Sequence, residues 1–289
     1  MAGERRTAEL DAALAECTDG ARVVRTRPVA GGCISRTECL VLSDGSRVFL
    51  KTAESHDPAL LHAEAGALLA LAATHTVRVP RVLAQQDDWL ALEWLEPGAA
   101  AERDWSDLGR ALGALHRYTG EWGGVPDNFI GTLPQANATA PDWPAFWETR
   151  RLEPLLRRTA GHFTTADRRR WDGLRTALGE LLAPGTLEGA SLLHGDLWNG
   201  NVHPMAGGGI ALVDPASYYG HREVDLAMAD LFGGFAPAFR SAYEEAWPLL
   251  PGWPRRRAIY QLYYLLVHIN LFGSSYLPRT REALRTAGF

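Results

Sequence analysis

A glycine-rich turn flanked by acidic residues, at positions 194–214, constrains the fold of this chain more than any other feature. Asp196 is followed five positions later by Asn201, and Asp214 closes a short hydrophobic run. Three glycines at 207–209 separate that run from the strand-like residues before it, so the chain is able to reverse there. Such a hairpin returns Asp214 to the neighbourhood of Asn201. The alternative is an ordinary hairpin that carries polar residues by chance.

The spacing of these side chains indicates phosphoryl-transfer chemistry. The interval from Asp196 to Asn201 is that of the kinase catalytic loop H-x-D-L-x-x-x-N, and Asp214 lies where kinases place a second metal-binding residue. Carboxylate and amide oxygens are ligands that suit Mg²⁺. We therefore predict that Asp196 is the catalytic base and that Asn201 and Asp214 hold Mg²⁺ beside a phosphoryl group.

Lys51 is the only lysine among the 29 basic residues of the chain. Arginine is a broad planar fork, whereas lysine is a compact ammonium that reaches a phosphate as a point charge. A single lysine kept among so many arginines therefore indicates a position that a guanidinium does not fit. It ends the strand-like run 47–51 after an Asp-Gly turn, which is the context of the kinase lysine that contacts ATP phosphates. The alternative is a solvated lysine on an edge strand.

The periodicity of residues 58–74 predicts a helix with Leu61 and Leu68 on its apolar face. Glu64 lies on the same face, three residues after Leu61. A carboxylate on a buried face needs a cation or hydrogen-bond donors. We predict that Lys51 supplies the cation, as in the strand-lysine to helix-glutamate pair of kinases. The alternative is that Glu64 lies at the edge of the apolar face and reaches water.

Gly31, Gly32 and Cys33 form a short loop before a strand-like run at 39–42. Glycines let backbone N–H groups approach phosphates closely, so these three residues are candidate nucleotide contacts. A plain turn between strands is the alternative. The glycine patterns of Rossmann and Walker loops are absent from the sequence, so those nucleotide sites are unsupported. Cys33 is either a reactive thiol or a small residue that fills the loop.

The strand-like run 89–95 leads into Glu-Pro-Gly, which indicates a boundary between two parts of the chain. We predict an N-terminal lobe at 1–94 and a C-terminal lobe at 95–289. In a two-lobed kinase the backbone of this linker bonds the adenine edge between apolar walls. The residues expected at the adenine are Glu93, Trp94 and Leu95.

Two later segments are predicted as helices. Leucine spacing predicts a helix over 105–118, with His116 at its end in what we interpret as a structural role. The most apolar segment, 259–272, is too short to span a bilayer and contains three polar residues, so it predicts a buried helix.

Composition argues against several other classes of function. The net charge of −5 and the pI of about 6.0 argue against a general nucleic-acid binder. Arginine triplets at 168–170 and 255–257 are short and far apart, and we interpret them as solvated helix faces. Three cysteines without metal-ligand spacing support neither a disulfide framework nor a zinc site. The first residues lack the apolar core of a signal peptide, so a cytoplasmic protein without membrane segments is expected.

A resemblance to a known family runs from the first glycine loop to about Tyr276, and five short motifs carry it. They are GGCIS at 31–35, HGDLWNGN at 194–201, DPA at 214–216, YGHREVDLA at 219–227 and LFGGF at 231–235. With these motifs the chain resembles the fructosamine kinase (ketosamine 3-kinase) family. Position 195 is glycine, whereas protein kinases have arginine there. In this respect the chain resembles the small-molecule kinases of the aminoglycoside-phosphotransferase type.

The resemblance implies an α+β, two-lobed, protein-kinase-like fold. A small N-lobe would hold an antiparallel sheet and one main helix, and a larger C-lobe would be mostly helical. It also implies ATP-dependent phosphorylation of a ketosamine hydroxyl, normally O3, after which the adduct breaks down and releases the amine. Lys51, positioned by Glu64, would hold the α- and β-phosphates of ATP.

The residues that would bind the sugar acceptor follow less directly from the resemblance. Trp198 lies inside the catalytic loop and is expected to pack against the sugar ring or its amine. Trp143 and Asn128 are further acceptor candidates, with a core position as the alternative for so large an apolar side chain as tryptophan. Asp225 is expected to cap the following helix rather than to react.

Two other functions compete with the ketosamine kinase. One is an aminoglycoside or other small-molecule phosphotransferase, which should present a strongly acidic acceptor surface. The other is a nucleotide-binding pseudokinase, which the complete set of kinase residues disfavours. A monomer is expected, with a redox-linked dimer through Cys33 as a further hypothesis.

Overall fold

The computed structural model describes residues 2–18, 20–29, 36–53 and 58–289. The first part of the described chain is an antiparallel sheet, in the order β1-β2-β3-β5-β4, with a helix on each face. Its elements are α1 (Ala2–Cys17), β1 (Val23–Pro28), β2 (Arg36–Leu42), β3 (Arg47–Thr52), α2 (Ala59–Ala73), β4 (Val82–Gln85) and β5 (Trp89–Glu93).

Alternation along the central strands decides which side chains face which helix. Val48 and Leu50 of β3 are buried against leucines of α1. Leu90 and Leu92 of β5 pack on the opposite face, against the leucines of α2. Lys51 pairs with Leu90 across the two strands and therefore lies on the α2 face of the sheet. This places the lysine ammonium beneath α2.

The second part of the described chain is mostly helical. Its helices are α3 (Glu102–Leu115), α4 (Trp143–Phe146), α5 (Glu153–Thr159), α6 (Thr165–Glu188), α7 (Glu223–Phe232), α8 (Pro237–Ala246), α9 (Trp253–Phe272) and α10 (Leu277–Thr286), with a π-helical turn at Trp147–Leu152. Its short strands are β6 (Thr119–Gly120), β7 (Asn128–Ile130), β8 (Leu133–Gln135), β9 (Ala190–Leu192), β10 (Val202–Pro204), β11 (Ile210–Leu212) and β12 (Tyr219–Gly220). An antiparallel sheet followed by a helical part confirms the predicted α+β class.

The predicted helices are present, with shifted ends. Residues 58–74 form α2 within one residue of the expected bounds. The helix predicted over 105–118 begins three residues earlier and ends at Leu115, with His116 directly after it. The earlier start follows from Asp104, whose carboxylate accepts a hydrogen bond from the backbone N–H of Ala101 at 2.8 Å. Such a contact satisfies a donor at the helix start.

The core of the helical part is built around α9. Almost every residue from Ala258 to Val267 is buried, on all sides of the helix. A helix that is apolar all round packs in a core, as the sequence predicted for 259–272. Among the described residues, no helix is long and apolar enough to cross a membrane.

One arginine of the 255–257 triplet is not solvated, contrary to expectation. The Arg256 side chain is buried, and its guanidinium donates two hydrogen bonds of 2.7 Å to the carboxylate of Glu223. A buried charge needs such a partner, and the fork geometry of arginine suits a carboxylate. This ion pair joins α9 to the first turn of α7.

A second polar cluster joins α6 to the segment before α7. The Glu188 carboxylate accepts hydrogen bonds from His221 at 2.8 Å and from the Arg222 guanidinium at 2.8 and 2.9 Å. Burial by itself raises the pKa of the Glu188 carboxyl, but these hydrogen bonds outweigh it and bring the pKa down to about 2. Glu188 is therefore ionised at neutral pH.

The glycine-rich turn forms the predicted hairpin. Strands β10 and β11 are antiparallel, with Val202 opposite Leu212, and Gly207, Gly208 and Gly209 all have positive φ. Glycine adopts this region without the steric cost of a side chain. The hairpin therefore brings the end of β11 back to the start of β10.

Candidate active site

Asp196 and Asn201 occupy one loop between β9 and β10. The Asn201 amide Nδ2 donates to the Asp196 carboxylate Oδ2 at 3.0 Å and to the Asp196 backbone carbonyl at 2.8 Å. The amide oxygen of Asn201 is left as an acceptor by these two donations. The loop thus orients the carboxylate and leaves an oxygen donor next to it.

The Asp196 carboxyl has a strongly altered acidity. Burial is the main cause that raises the pKa of this carboxyl to about 7, and the charge of Asp214 raises it further. The hydrogen bond from Asn201 lowers the pKa but does not outweigh these effects. A carboxylate whose pKa lies near neutrality is suited to exchange a proton with a substrate hydroxyl.

Asp214 stands at the end of the hairpin, beside the catalytic loop. The backbone N–H of Val213 donates to the Asn201 carbonyl at 3.0 Å. Asp214 itself has φ of 54°, in the left-handed region that aspartate adopts at a modest cost. Its side chain remains 42 % exposed. The turn therefore leaves this carboxylate partly exposed beside the loop rather than burying it.

The predicted ion pair of Lys51 and Glu64 is present. The Lys51 ammonium lies 2.7 Å from Glu64 Oε1 and 2.5 Å from Asp214 Oδ1. Burial lowers the pKa of Lys51, but the two carboxylates outweigh it and leave the pKa above its ordinary value. Burial also raises the pKa of Glu64, the effect that Lys51 opposes. Lys51 is thus a buried cation that links the sheet to Asp214.

His194 stabilises the loop from its buried side. Its Nε2 lies 3.1 Å from the Val213 carbonyl and its Nδ1 lies 3.3 Å from the backbone N of Asp196. Burial lowers the pKa of His194, so the ring is neutral, with the proton on Nε2 and an accepting Nδ1. One imidazole therefore holds together the two segments that carry Asp196 and Asp214.

Asp225 has a different structural role from the one expected. It lies in the first turn of α7 and is fully buried, but its carboxylate accepts from the backbone N–H groups of His194 at 2.8 Å and Gly195 at 2.9 Å. His116 Nε2 lies 3.2 Å from the same carboxylate. The expected helix cap is therefore corrected: Asp225 caps the catalytic loop, which presents two N–H groups to it.

Two buried residues complete this support, and the sequence reasoning did not identify their part in it. Burial lowers the pKa of His116, so the neutral ring donates to Asp225 through Nε2 and accepts from the Tyr243 hydroxyl at 2.8 Å. Tyr264 of α9 donates its hydroxyl hydrogen to the Gly195 carbonyl at 2.7 Å. His116 follows α3, Tyr264 lies in α9 and Asp225 lies in α7, so no local pattern could indicate that they meet.

Gly195 is required by the backbone at this point. Its φ is +85°, and a Cβ there would lie 2.0 Å from the carbonyl oxygen of Ala216. A side chain is excluded both by the backbone conformation and by this contact. The glycine that distinguishes the motif from protein kinases thus has a structural reason.

The polar side chains of the linker residues bond to other groups of the protein. The Glu93 carboxylate is held by Arg78 Nη2 at 2.6 Å and by the backbone N–H of Arg81 at 3.1 Å. The Leu95 carbonyl accepts from His203 Nε2 at 3.1 Å. Trp94 donates its indole N–H to Glu96. An adenine contact by these residues stays a prediction.

Of the three acceptor candidates, only Trp198 is exposed. Its side chain lies over Gly200, where a Cβ would come within 2.2 Å of the indole, and 39 % of the residue is exposed. Trp143 is 0 % exposed, with its indole N–H donated to Tyr260 at 3.0 Å. Trp143 is therefore a core residue, and its assignment as an acceptor contact is corrected.

Asn128 is corrected in the same way, because both ends of its amide are engaged inside the protein. Its Nδ2 donates to the Ser217 carbonyl at 2.8 Å, and its Oδ1 accepts from Gln135 at 2.7 Å. Asn128 thus holds the segment that follows Asp214 and does not face an acceptor.

The glycine-loop candidates Gly31, Gly32 and Cys33 lie outside the described residues, so the contacts and the redox role predicted for them stay predictions. Of the cysteines that are described, Cys17 is exposed and Cys39 is buried, both with free thiols.

In this site a sheet lysine pairs with a helix glutamate and with the aspartate of a second segment, next to an Asp–Asn loop. This arrangement defines a protein-kinase-like phosphotransferase. Comparison with known proteins narrows this class. The model of the fructosamine kinase family matches residues 7–287, and the chain belongs to that family.

Named relatives agree with this assignment. The chain is 38% identical over 274 residues to a probable ketoamine kinase of Synechocystis, covering 91% of this chain and 90% of the relative. It is 34% identical to the chloroplastic protein-ribulosamine 3-kinase of rice, covering 88% and 76%. A crystal structure from Thermobifida fusca, provisionally named fructosamine-3-kinase, superposes with a TM-score of 0.87 at 34% identity, covering 96% of this chain and 98% of that one.

Proposed function

We propose that this protein transfers the γ-phosphoryl group of ATP to a sugar hydroxyl of a ketosamine, free or protein-bound, at O3. The observation that carries the proposal is the convergence of Lys51, Glu64, Asp196, Asn201 and Asp214 in a chain of the fructosamine kinase family. The nucleotide would lie between the predicted lobes, with its adenine against the linker backbone.

Mg²⁺ fits the oxygen donors of this site. Asn201 keeps its amide oxygen, and the Asp214 carboxylate is partly exposed beside it. Among the described residues, no group of three or more His, Cys, Asp and Glu side chains forms a metal cage. This agrees with Mg²⁺, which takes one or two protein ligands and completes its shell with phosphates and water. When bound, the ion would neutralise phosphate charge.

Phosphoryl transfer then assigns a role to each side chain. Asp196 orients the acceptor hydroxyl and takes its proton as the oxygen bonds to the γ-phosphorus, while the bond from that phosphorus to the bridging oxygen breaks and ADP leaves. Lys51 moves its ammonium from Asp214 to the α- and β-phosphates and keeps Glu64 as its buried partner. Trp198 packs against the sugar. The phosphorylated adduct would then break down and release the amine.

A substrate survey with one active-site variant tests the function. ADP release is measured with fructose-, ribulose- and erythrulose-amines, with free sugars and with aminoglycosides. Turnover is expected with ketosamines, and no stimulation by any of them would refute the proposal. Strong turnover with aminoglycosides alone would favour the competing phosphotransferase.

The variant Asp196→Asn is expected to fold and bind ATP while kcat falls by about three orders of magnitude or more, because the base is lost. Asp172→Asn, an exposed change on α6, is the matched control and should keep wild-type kcat. Retained turnover in Asp196→Asn would contradict the role of Asp196.

A further inference from the structure

Aromatic side chains continue from Trp198 across the surface of the helical part. The Trp198 ring lies 6.3 Å from the Phe232 ring, which lies 4.8 Å from His268. His268 in turn lies 4.8 Å from Tyr276 and 5.5 Å from Phe272. All five are exposed or half-buried. We call these five rings the aromatic shelf.

The aromatic shelf is joined firmly to the catalytic loop. Phe232 ends α7, the helix whose Asp225 holds the loop N–H groups. Two residues further on, a Cβ at Gly234 would lie 2.5 Å from Cγ of Asn199. Because only a glycine fits this close approach, the segment that follows Phe232 packs directly against the loop.

Arg279 supplies a positive charge at the aromatic shelf. Its guanidinium lies 5.2 Å from the centre of the Phe232 ring, and its Nη2 donates to the Leu231 carbonyl at 2.6 Å. Within the described residues it forms no ion pair with a carboxylate, whereas Arg281 of the same helix pairs with Asp167. Arg279 is exposed. The shelf therefore carries a positioned cation whose counter-charge does not come from the described chain.

The other titratable group at the centre of the shelf is neutral. His268 Nδ1 lies 2.7 Å from the Tyr264 carbonyl and must donate to it. Burial lowers the pKa of His268, and the charge of Arg279 lowers it further. Of these two groups, Arg279 is therefore the one that offers a ligand a charge.

We propose that the aromatic shelf and Arg279 bind the amine portion of the substrate beyond the sugar, and select ketosamines whose amine carries a carboxylate, that is, glycated amino acids. The inference rests on the proposed function, which places the sugar between Asp196 and Trp198. The amine substituent then extends over the rings, which pack on its carbon atoms. Arginine recognises a carboxylate with two N–H donors.

Paired substrates test this selection. N-fructosyl-6-aminohexanoate and its amide differ in the carboxylate alone, and their carbon chain is long enough to extend over the rings. The ratio kcat/KM is measured for both with wild type, Arg279→Gln and Arg285→Gln. Arg285 is the matched control, because it lies on the same helix, is exposed and pairs with Glu282. Wild type and Arg285→Gln should prefer the carboxylate form by about threefold to fivefold, through KM, as for an exposed ion pair.

Arg279→Gln should abolish this preference by raising KM for the carboxylate substrate to the level of the amide. Phe272→Ala, an exposed change on the shelf, should raise KM for both substrates equally. Equal use of the two substrates by wild type, or an unchanged preference in Arg279→Gln, would overturn the inference while leaving the kinase assignment intact. Absence of turnover with either ketosamine would instead refute the proposed function, and the inference with it.

Discussion

Replacing Asp225 by asparagine tests whether α7 holds the catalytic loop. The carboxylate accepts from the N–H groups of His194 and Gly195 through different oxygens, and His116 shares one of them. Asparagine keeps one of these oxygens and turns an NH₂ donor towards the other N–H. The variant loses one charge-assisted hydrogen bond, worth about 1.5–3 kcal/mol, and leaves a buried donor unpaired at about 1–3 kcal/mol. The expected loss of folding stability is about 3–5 kcal/mol.

The same change should reduce catalysis, because Asp196 follows directly after the two N–H groups. A displacement of about 1 Å costs about 100-fold in rate. Urea unfolding and steady-state kcat are measured for Asp225→Asn and for Asp230→Asn, which removes the same charge from the outer part of α7, where Asp230 pairs with Arg240. Asp230→Asn should lose less than about 1 kcal/mol and keep kcat. If both variants unfold at the same urea concentration and turn over alike, the anchoring role of Asp225 is wrong.

Three further predictions follow from individual positions. Lys51→Arg should lower kcat/KM for ATP by about 100-fold in a nucleotide titration, because the wider guanidinium displaces the cation from its buried place; wild-type kinetics would contradict this. Gly195→Ala should lose about 2–4 kcal/mol more in urea unfolding than Gly189→Ala, which shares a positive φ but has nothing within 4 Å of its Cβ; equal losses would show that the backbone conformation alone matters. Glu188 has a folded pKa of about 2, below its ordinary value of 4.5, so its contribution of about 2 kcal/mol is full above pH 4.5 and disappears as the pH falls towards 2. The stability difference between wild type and Glu188→Gln, measured from pH 7 to pH 2.5, should shrink accordingly, and a constant difference would refute the assignment.

Much of the site was predictable because it depends on short-range patterns. The interval between Asp196 and Asn201 indicates a loop of fixed length. The three glycines before Asp214 indicate that the chain reverses in a hairpin. The pairing of Lys51 with Glu64 follows from strand alternation and helical periodicity, since each pattern places its residue on one known face. These rules operate within about one turn or one strand, where the chain itself dictates geometry.

Other assignments failed where burial decided the outcome. Tryptophan in a loop segment is compatible with both a substrate site and a core, and packing against Tyr260 placed Trp143 in the core. Arg256 belongs to a charged triplet typical of a surface, but Glu223 binds it inside the protein. In both cases the deciding partner lies on a distant segment, which local sequence cannot indicate.

The sequence by itself predicted the chemistry that we propose for this protein: the order and spacing of its proposed base, its proposed metal-binding oxygens and its one lysine. The tertiary structure decided what holds them, namely Asp225, His116 and Tyr264, which approach the loop from three helices. It also decided that aromatic rings extend from Trp198 towards Arg279. The physical reason is that periodicity sets the face of each element, while only packing between elements sets which faces meet.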